Sequence, residues 1–198
     1  MRFIESILFR DGVYHNLDLH QERLDRTFDR FMPEIETHDL SNILPQLKLE
    51  GTYKVRLVYD ADLEDADYDL EFAEYFPRKI ETLQVVESEP FDYAFKYEDR
   101  THIQSLVDKS EADDIIIAMD GNITDGSYFN LIFWDGKEWI TPDKPLLNGV
   151  RRQQLLKEKR IKKAPITIND LGAFEKLCLI NAMLDLGHLE LPIHSILE

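Results

Sequence analysis

Ala112-Asp-Asp-Ile-Ile-Ile-Ala-Met-Asp-Gly-Asn-Ile-Thr-Asp-Gly-Ser-Tyr-Phe-Asn-Leu-Ile-Phe133 is the stretch from which the rest of the chain can be read. It reads as two apolar strands with an acid, Asp125, set between them in a turn-rich segment. Asp120-Gly121 within the run and Asp135-Gly136 just beyond it read as tight strand connections. Upstream stands Lys96, in Phe95-Lys-Tyr-Glu-Asp-Arg100. A lysine and a carboxylate on separate strands can do chemistry together, one as nucleophile and one as acid. Taken singly, each is ordinary: lysines are mostly solvated, and Asp-Gly is frequently only a turn.

Further words surround this pair in a fixed order. His20-Gln-Glu-Arg-Leu24 precedes it, and Ile123-Thr-Asp-Gly-Ser127 with Asn130-Leu-Ile-Phe133 contains the acid. Thr141-Pro142 and Leu146-Leu-Asn-Gly-Val-Arg-Arg152 follow, and Leu179-Ile-Asn-Ala-Met183 comes near the end. Together these resemble the class IV aminotransferase family, the pyridoxal phosphate enzymes of fold type IV. Asn181-Ala182 is similar to the aminodeoxychorismate lyase branch, where transaminases more often carry Gly-Thr. The resemblance covers nearly the whole chain. It begins near the family's "FET" segment, here Phe3-Ile4-Glu5-Ser6, without the hairpin that usually comes before it.

The resemblance implies an α+β fold of two domains. A small N-terminal α+β domain would span 1–88, and a larger C-terminal, barrel-like α/β domain 90–198, with the Schiff-base lysine and most of the cofactor site. The cofactor, pyridoxal 5'-phosphate, would lie in the cleft between them. Lys96 would hold its aldehyde, and Asp125 would keep its pyridine nitrogen protonated so that the ring can draw electrons from the substrate. The family acid is usually Glu, one methylene longer. Arg23 would bind the phosphate, together with the backbone amides of Val150 and Arg151 where a helix opens after Gly149. Arg56, Asn181 and Ala182 would meet the carboxylate of a small amino substrate. The implied assembly is a homodimer. The implied reaction is conversion of 4-amino-4-deoxychorismate to 4-aminobenzoate and pyruvate. Amino transfer between a branched-chain or D-amino acid and a 2-oxo acid is an alternative reading, and a non-catalytic relative is another.

Composition narrows the classes. The chain has 198 residues, enough for a sizeable core, with 43% hydrophobic and 11% aromatic residues. Its formal net charge of −16 argues against nucleic acid as a partner, since phosphate backbones call for clustered cations. An anionic ligand needs local positive charge against that background, which makes arginines inside motifs worth following. The single cysteine, Cys178, lies in an apolar run and reads as an inert buried thiol. The six histidines lack metal-ligand spacing, so no metal site is expected. No apolar run approaches the ~18 residues of a membrane span, and the N-terminus lacks a signal-peptide core. A cytoplasmic protein is expected.

Periodicity sketches the elements. Residues 3–9 and 13–17 read as a hairpin about Asp11-Gly12, and Asp18 as the cap of a helix whose apolar face is Leu24, Phe28, Phe31 and Met32. Pro33 would end that helix, and a weaker one is expected over 39–47. Tyr53–Tyr59 alternates like a half-buried strand, 60–69 reads as an acidic turn, and strands are expected at 68–76 and 81–88. Glu87–Pro90 reads as the linker. Helices are expected over 101–110, 149–158 and 170–176, the last capped by Asn169 or Asp170.

Overall fold

The computed structural model describes residues 1–60 and 68–197; most of the expected acidic turn lies outside them. The chain forms two compact units, Met1–Phe76 with Phe95–Asp99, and Pro77–Ala94 with Arg100–Glu198.

The first unit is one antiparallel sheet carrying a helix. Its strands are β1 (Arg2–Arg10), β2 (Val13–Tyr14), β3 (Thr52–Asp60) and β4 (Tyr68–Glu74), in the order β2-β1-β3-β4. Its helices are α1 (Leu17–Phe31) and the short α2 (Leu40–Ile43). Period-two geometry puts Phe3, Glu5, Ile7 and Phe9 on one face of β1. The register Phe3↔Tyr59, Glu5↔Leu57, Ile7↔Val55 sets the odd residues of β3 beside them. That face buries Leu24, Phe28 and Met32 of the α1 segment. Asp11 and Gly12 both have positive φ, 49° and 83°, which is what a two-residue hairpin of matching twist requires. The returning strand is shorter than expected, because Asn16 in the left-handed region already turns the chain into α1. The cap of that helix is therefore Asn16, and Asp18 falls within the first turn.

The second unit holds a nine-stranded mixed sheet. Its elements are β5 (Leu83–Ser88), α3 (Thr101–Val107), β6 (Asp114–Met119), β7 (Asn122–Gly126), β8 (Asn130–Trp134), β9 (Trp139–Pro142), α4 (Val150–Lys157), β10 (Lys162–Ala164), β11 (Lys176–Ile180), β12 (Glu190–Pro192) and β13 (Ile196–Leu197). The order is β10-β9-β8-β7-β6-β5-β13, and the sheet branches at β8, which also pairs with β11. Ile115, Ile116, Ile117 and Ala118 of β6 are all buried, the continuous apolar pattern of a strand covered on both sides. The stretch 112–133 thus contains three strands, not two, and Asp125 belongs to the middle one. β7 pairs with β6 through Ile116↔Gly126 and Ala118↔Ile123, so one extra residue is accommodated in the part of β7 that holds Thr124 and Asp125. Such a bulge re-aims side chains.

The expected domain boundary at 88–90 moves. β5 pairs in parallel with β6 over six residues, which ties it to the second unit. Residues 95–99 belong to the first unit, so Lys96 does not lie in the C-terminal domain. Nor does Lys96 stand on a strand; it occupies the position before an isolated bridge, Phe3↔Tyr97. The expected 170–176 helix is a 3-10 turn over Ile168–Ala173, started by a capping box of Thr167 and Asp170.

Candidate active site

In the first unit Lys96 is held in an unusual backbone state. Its φ is +52°, a conformation that costs a branched or long side chain energy and persists only where its surroundings impose it. Here they do. The Lys96 carbonyl accepts from Ile4 N–H at 3.1 Å, and Glu98 N–H donates to the Arg2 carbonyl at 2.9 Å. Phe95 packs edge-on to Phe31 and Tyr97 lies against Phe3, with centroids 4.9 and 5.2 Å apart. Two backbone bonds and two aromatic anchors therefore fix the lysine segment to β1 and α1.

Arg23 projects from the inner face of α1. Residues 20, 23 and 27 share that face by helical spacing, and all three are buried. Glu5, inward on β1, is fully buried and receives Arg23 and His20, while the Thr27 hydroxyl donates to the Arg23 carbonyl at 2.9 Å. Arg23 Nε donates to Glu5 Oε1 at 2.6 Å and Nη2 to Oε2; His20 Nδ1 lies 2.5 Å from Oε2. Burial alone would raise the Glu5 carboxyl, but the Arg23 charge and the bonds from Arg23 and His20 hold it at about 2. Burial pushes His20 below its ordinary value against the pull of Glu5, so it is neutral and donates from Nδ1, leaving Nε2 buried without a partner. Arg56, on β3, is half-buried and its Nη2 donates to Glu98 at 2.5 Å.

In the second unit Asp125 is buried, with both oxygens engaged. Oδ1 accepts from Asn130 Nδ2 at 2.7 Å, and Oδ2 from Leu147 N–H at 2.8 Å. Burial pushes the carboxyl up to about 7, against the bonds from Leu147 and Asn130 and the charge of Arg152. Leu147 leads into Gly149, the cap of α4. A Cβ on Gly149 would collide with Oδ1 of Asn130, so only glycine lets the chain pass there. The first turn of α4 then begins at Val150 and Arg151, whose N–H groups lack intrahelical acceptors by construction. The Arg151 side chain turns along the helix, with Nη1 donating to Gln154 at 2.6 Å and lying 3.5 Å from Asp185.

Asn181 and Ala182 form a tight turn closed by an Asn181↔Leu184 bridge. Asn181 Oδ1 accepts from Met183 and Leu184 N–H at 2.9 and 3.0 Å, and Nδ2 reaches the Tyr128 carbonyl at 3.4 Å. Lys96, Arg23 and Arg56 thus belong to one unit, and Asp125, Val150, Arg151, Asn181 and Ala182 to the other.

Four residues escaped sequence reasoning. Glu5 could have been found, as the one acid among inward Phe3, Ile7 and Phe9. Asn130 and Arg152 lie inside motifs of the chain that assign them no role. Arg152 is buried; Nε donates to Thr141 Oγ1 at 3.2 Å, Nη1 to Asn148 Oδ1 at 2.7 Å and Nη2 to the Pro142 carbonyl at 2.8 Å. Arg100 left no signal: it stacks 3.7 Å over Tyr128 and donates to the Ser127 carbonyl. Among the described residues no group of His, Cys, Asp or Glu is placed to hold a metal ion, and no helix is long and apolar enough to cross a membrane.

A buried acid facing donors, beside a glycine-opened helix start, suits a ligand with a basic ring nitrogen and a phosphate. The comparisons with known proteins give this architecture its class, that of the pyridoxal phosphate enzymes of fold type IV. The chain belongs to the amino-transferase class IV family, whose pattern matches residues 2–196. It is 33% identical over 184 residues to a functionally uncharacterised protein of Haemophilus influenzae, covering 90% of this chain and 96% of that one. It is 35% identical, with a TM-score of 0.86, to a Haemophilus somnus protein provisionally named a 4-amino-4-deoxychorismate lyase, covering 93% and 97% of the two chains. A hypothetical aminotransferase of Mycobacterium tuberculosis, solved in a PLP-bound form, shares the fold: TM-score 0.78 and 17% identity over 98% and 81%.

Proposed function

We propose that the protein cleaves 4-amino-4-deoxychorismate to 4-aminobenzoate and pyruvate. The observation that carries this reading is the 35% identity, over nearly the full length of both chains, to the Haemophilus somnus protein provisionally named for that activity. When bound, pyridoxal phosphate supplies a ring that accepts electrons from the substrate as a proton leaves. Lys96 Nζ is the amine that would hold the cofactor's aldehyde, and it would be the base for the proton at the substrate's Cα. Asp125 receives the ring nitrogen. The amides of Val150 and Arg151 receive the phosphate, with Arg23 as the cation. Arg56 and the turn at Asn181 and Ala182 meet the substrate carboxylate. The working form is a cytoplasmic homodimer.

Two measurements test this. Borohydride reduction of the cofactor-loaded protein, followed by peptide mass spectrometry, is expected to place a pyridoxyl group on Lys96; an adduct on another lysine overturns that role. Incubation with 4-amino-4-deoxychorismate is expected to yield equal amounts of 4-aminobenzoate and pyruvate. Amino transfer from an amino acid to a 2-oxo acid, with no pyruvate from the chorismate derivative, would establish the transferase instead.

A further inference from the structure

Asn130 opens β8 and pairs across the ladder with Asp125. Its side-chain amide is 6% exposed with the rest of the residue, and both hydrogens of Nδ2 are used, on Asp125 Oδ1 at 2.7 Å and on the Leu147 carbonyl at 2.8 Å. The Leu147 carbonyl can only accept, so turning the amide over would set oxygen against oxygen. On the other side, Oδ1 sits where Gly149 passes, and no side chain fits between them. The orientation of this amide is therefore locked by a backbone carbonyl and a glycine.

The lock has a consequence for the acid. Oδ1 of Asp125 meets an N–H from Asn130, and Oδ2 meets the N–H of Leu147. Neither donor can become an acceptor. Arg152, on α4, is a charged group that acts on Asp125, and it too favours the ionised form; burial works the other way. A carboxylate held so is best satisfied on its remaining lone pairs by a further donor.

We propose that Asn130 is a positioning residue whose locked amide holds Asp125 as an acceptor and so keeps the shared proton on the cofactor's ring nitrogen. This rests on the reading of Asp125 as the partner of that nitrogen. The test loads the full-length protein with pyridoxal phosphate labelled with nitrogen-15 in the ring and follows the ring-nitrogen resonance as pH is raised. The parent is expected to keep a protonated nitrogen past neutrality. Asp125→Ala should lose it. Asn130→Ala should bind cofactor but lower the deprotonation midpoint by about one pH unit or more, the effect of one hydrogen bond to a charged group. If Asp125→Ala leaves the resonance unmoved, the underlying reading fails. If Asp125→Ala moves it and Asn130→Ala does not, this inference alone is overturned. Should Asn130→Ala not fold, Gly149→Ala displaces the amide without deleting it and is expected to lower the midpoint in the same direction; an unchanged midpoint overturns the proposal.

Discussion

Glu5 shows how much a single inward residue can dictate. An acid on the core face of β1 cannot stay ionised alone, and the helix opposite answers with Arg23 and His20 one turn apart. Removing Glu5 or Arg23 strands the other's charge in the core, which typically costs about 3–5 kcal/mol. Arg23→Ala is therefore expected to lower stability before it says anything of phosphate. The pH dependence follows from the signs. The Glu5 carboxyl titrates at about 2 when folded against an ordinary 4.5, so its contribution is complete above pH 4.5 and is lost as pH falls towards 2. His20, pushed below 6.5, acts in the same direction from a higher starting point, since the unfolded chain protonates first. Asp125, pushed up from 3.8 to about 7, opposes both, and without cofactor it removes stability as pH rises through that window. Urea midpoints of the parent and Glu5→Gln, taken at pH 7 and pH 3, check this. The gap between them is expected to shrink in acid. A gap of constant size would show that the Glu5 pair does not titrate with unfolding.

Elements were legible where one period dominates, and illegible where tertiary pairing decides. The alternation of β1 and β3 and the apolar run of β6 could be read directly, because each pattern is the burial pattern itself. β7 was missed because Asn122–Gly126 is short, polar and rich in turn-formers; its partners on both sides make it a strand. The boundary at 88–90 failed for a related reason, since a polar, proline-ended segment says nothing of the parallel partner that holds β5. Within each unit, the motifs mark Lys96 in the first and Asp125 and α4 in the second, but not the residues that hold them, which act through contacts distant in sequence. Arg152 is the clearest case. Its fork closes the connection from β9 to α4 by bonding Thr141, Pro142 and Asn148. Arg152→Ala is expected to cost about 2–4 kcal/mol through the buried groups left unpaired. Lysine keeps the charge but cannot reproduce three directed bonds. Chemical unfolding should thus find Arg152→Lys recovering less than half of that loss. Full recovery by lysine would mean that the charge acting on Asp125, and not the fork, is what this position supplies.

The whole molecule sets the terms on which an anionic cofactor arrives. With 39 acidic and 23 basic residues the formal charge is −16, so the far field repels both the phosphate and a carboxylate substrate. The cations in the motifs do not reverse this at a distance. Arg23 is paired with Glu5, Arg56 shares Glu98 with Arg2, and Arg151 lies beside Asp185. Binding then depends on short-range, directed donors that act once the ligand is inside, while long-range approach is unfavourable. Salt should separate the two. Raising ionic strength from ~10 mM to ~150 mM shortens the screening length from about 30 Å to about 8 Å, which removes distant repulsion and leaves buried contacts nearly intact. Stopped-flow association of pyridoxal phosphate with the cofactor-free protein is accordingly expected to speed up, by roughly two- to fivefold, over that range. Pyridoxal, which lacks the phosphate, should respond much less and serves as the control for general salt effects. An association rate that falls with added salt would show instead that the entrance is locally positive and draws the anion in, and the acidity of the chain would then bear on solubility alone.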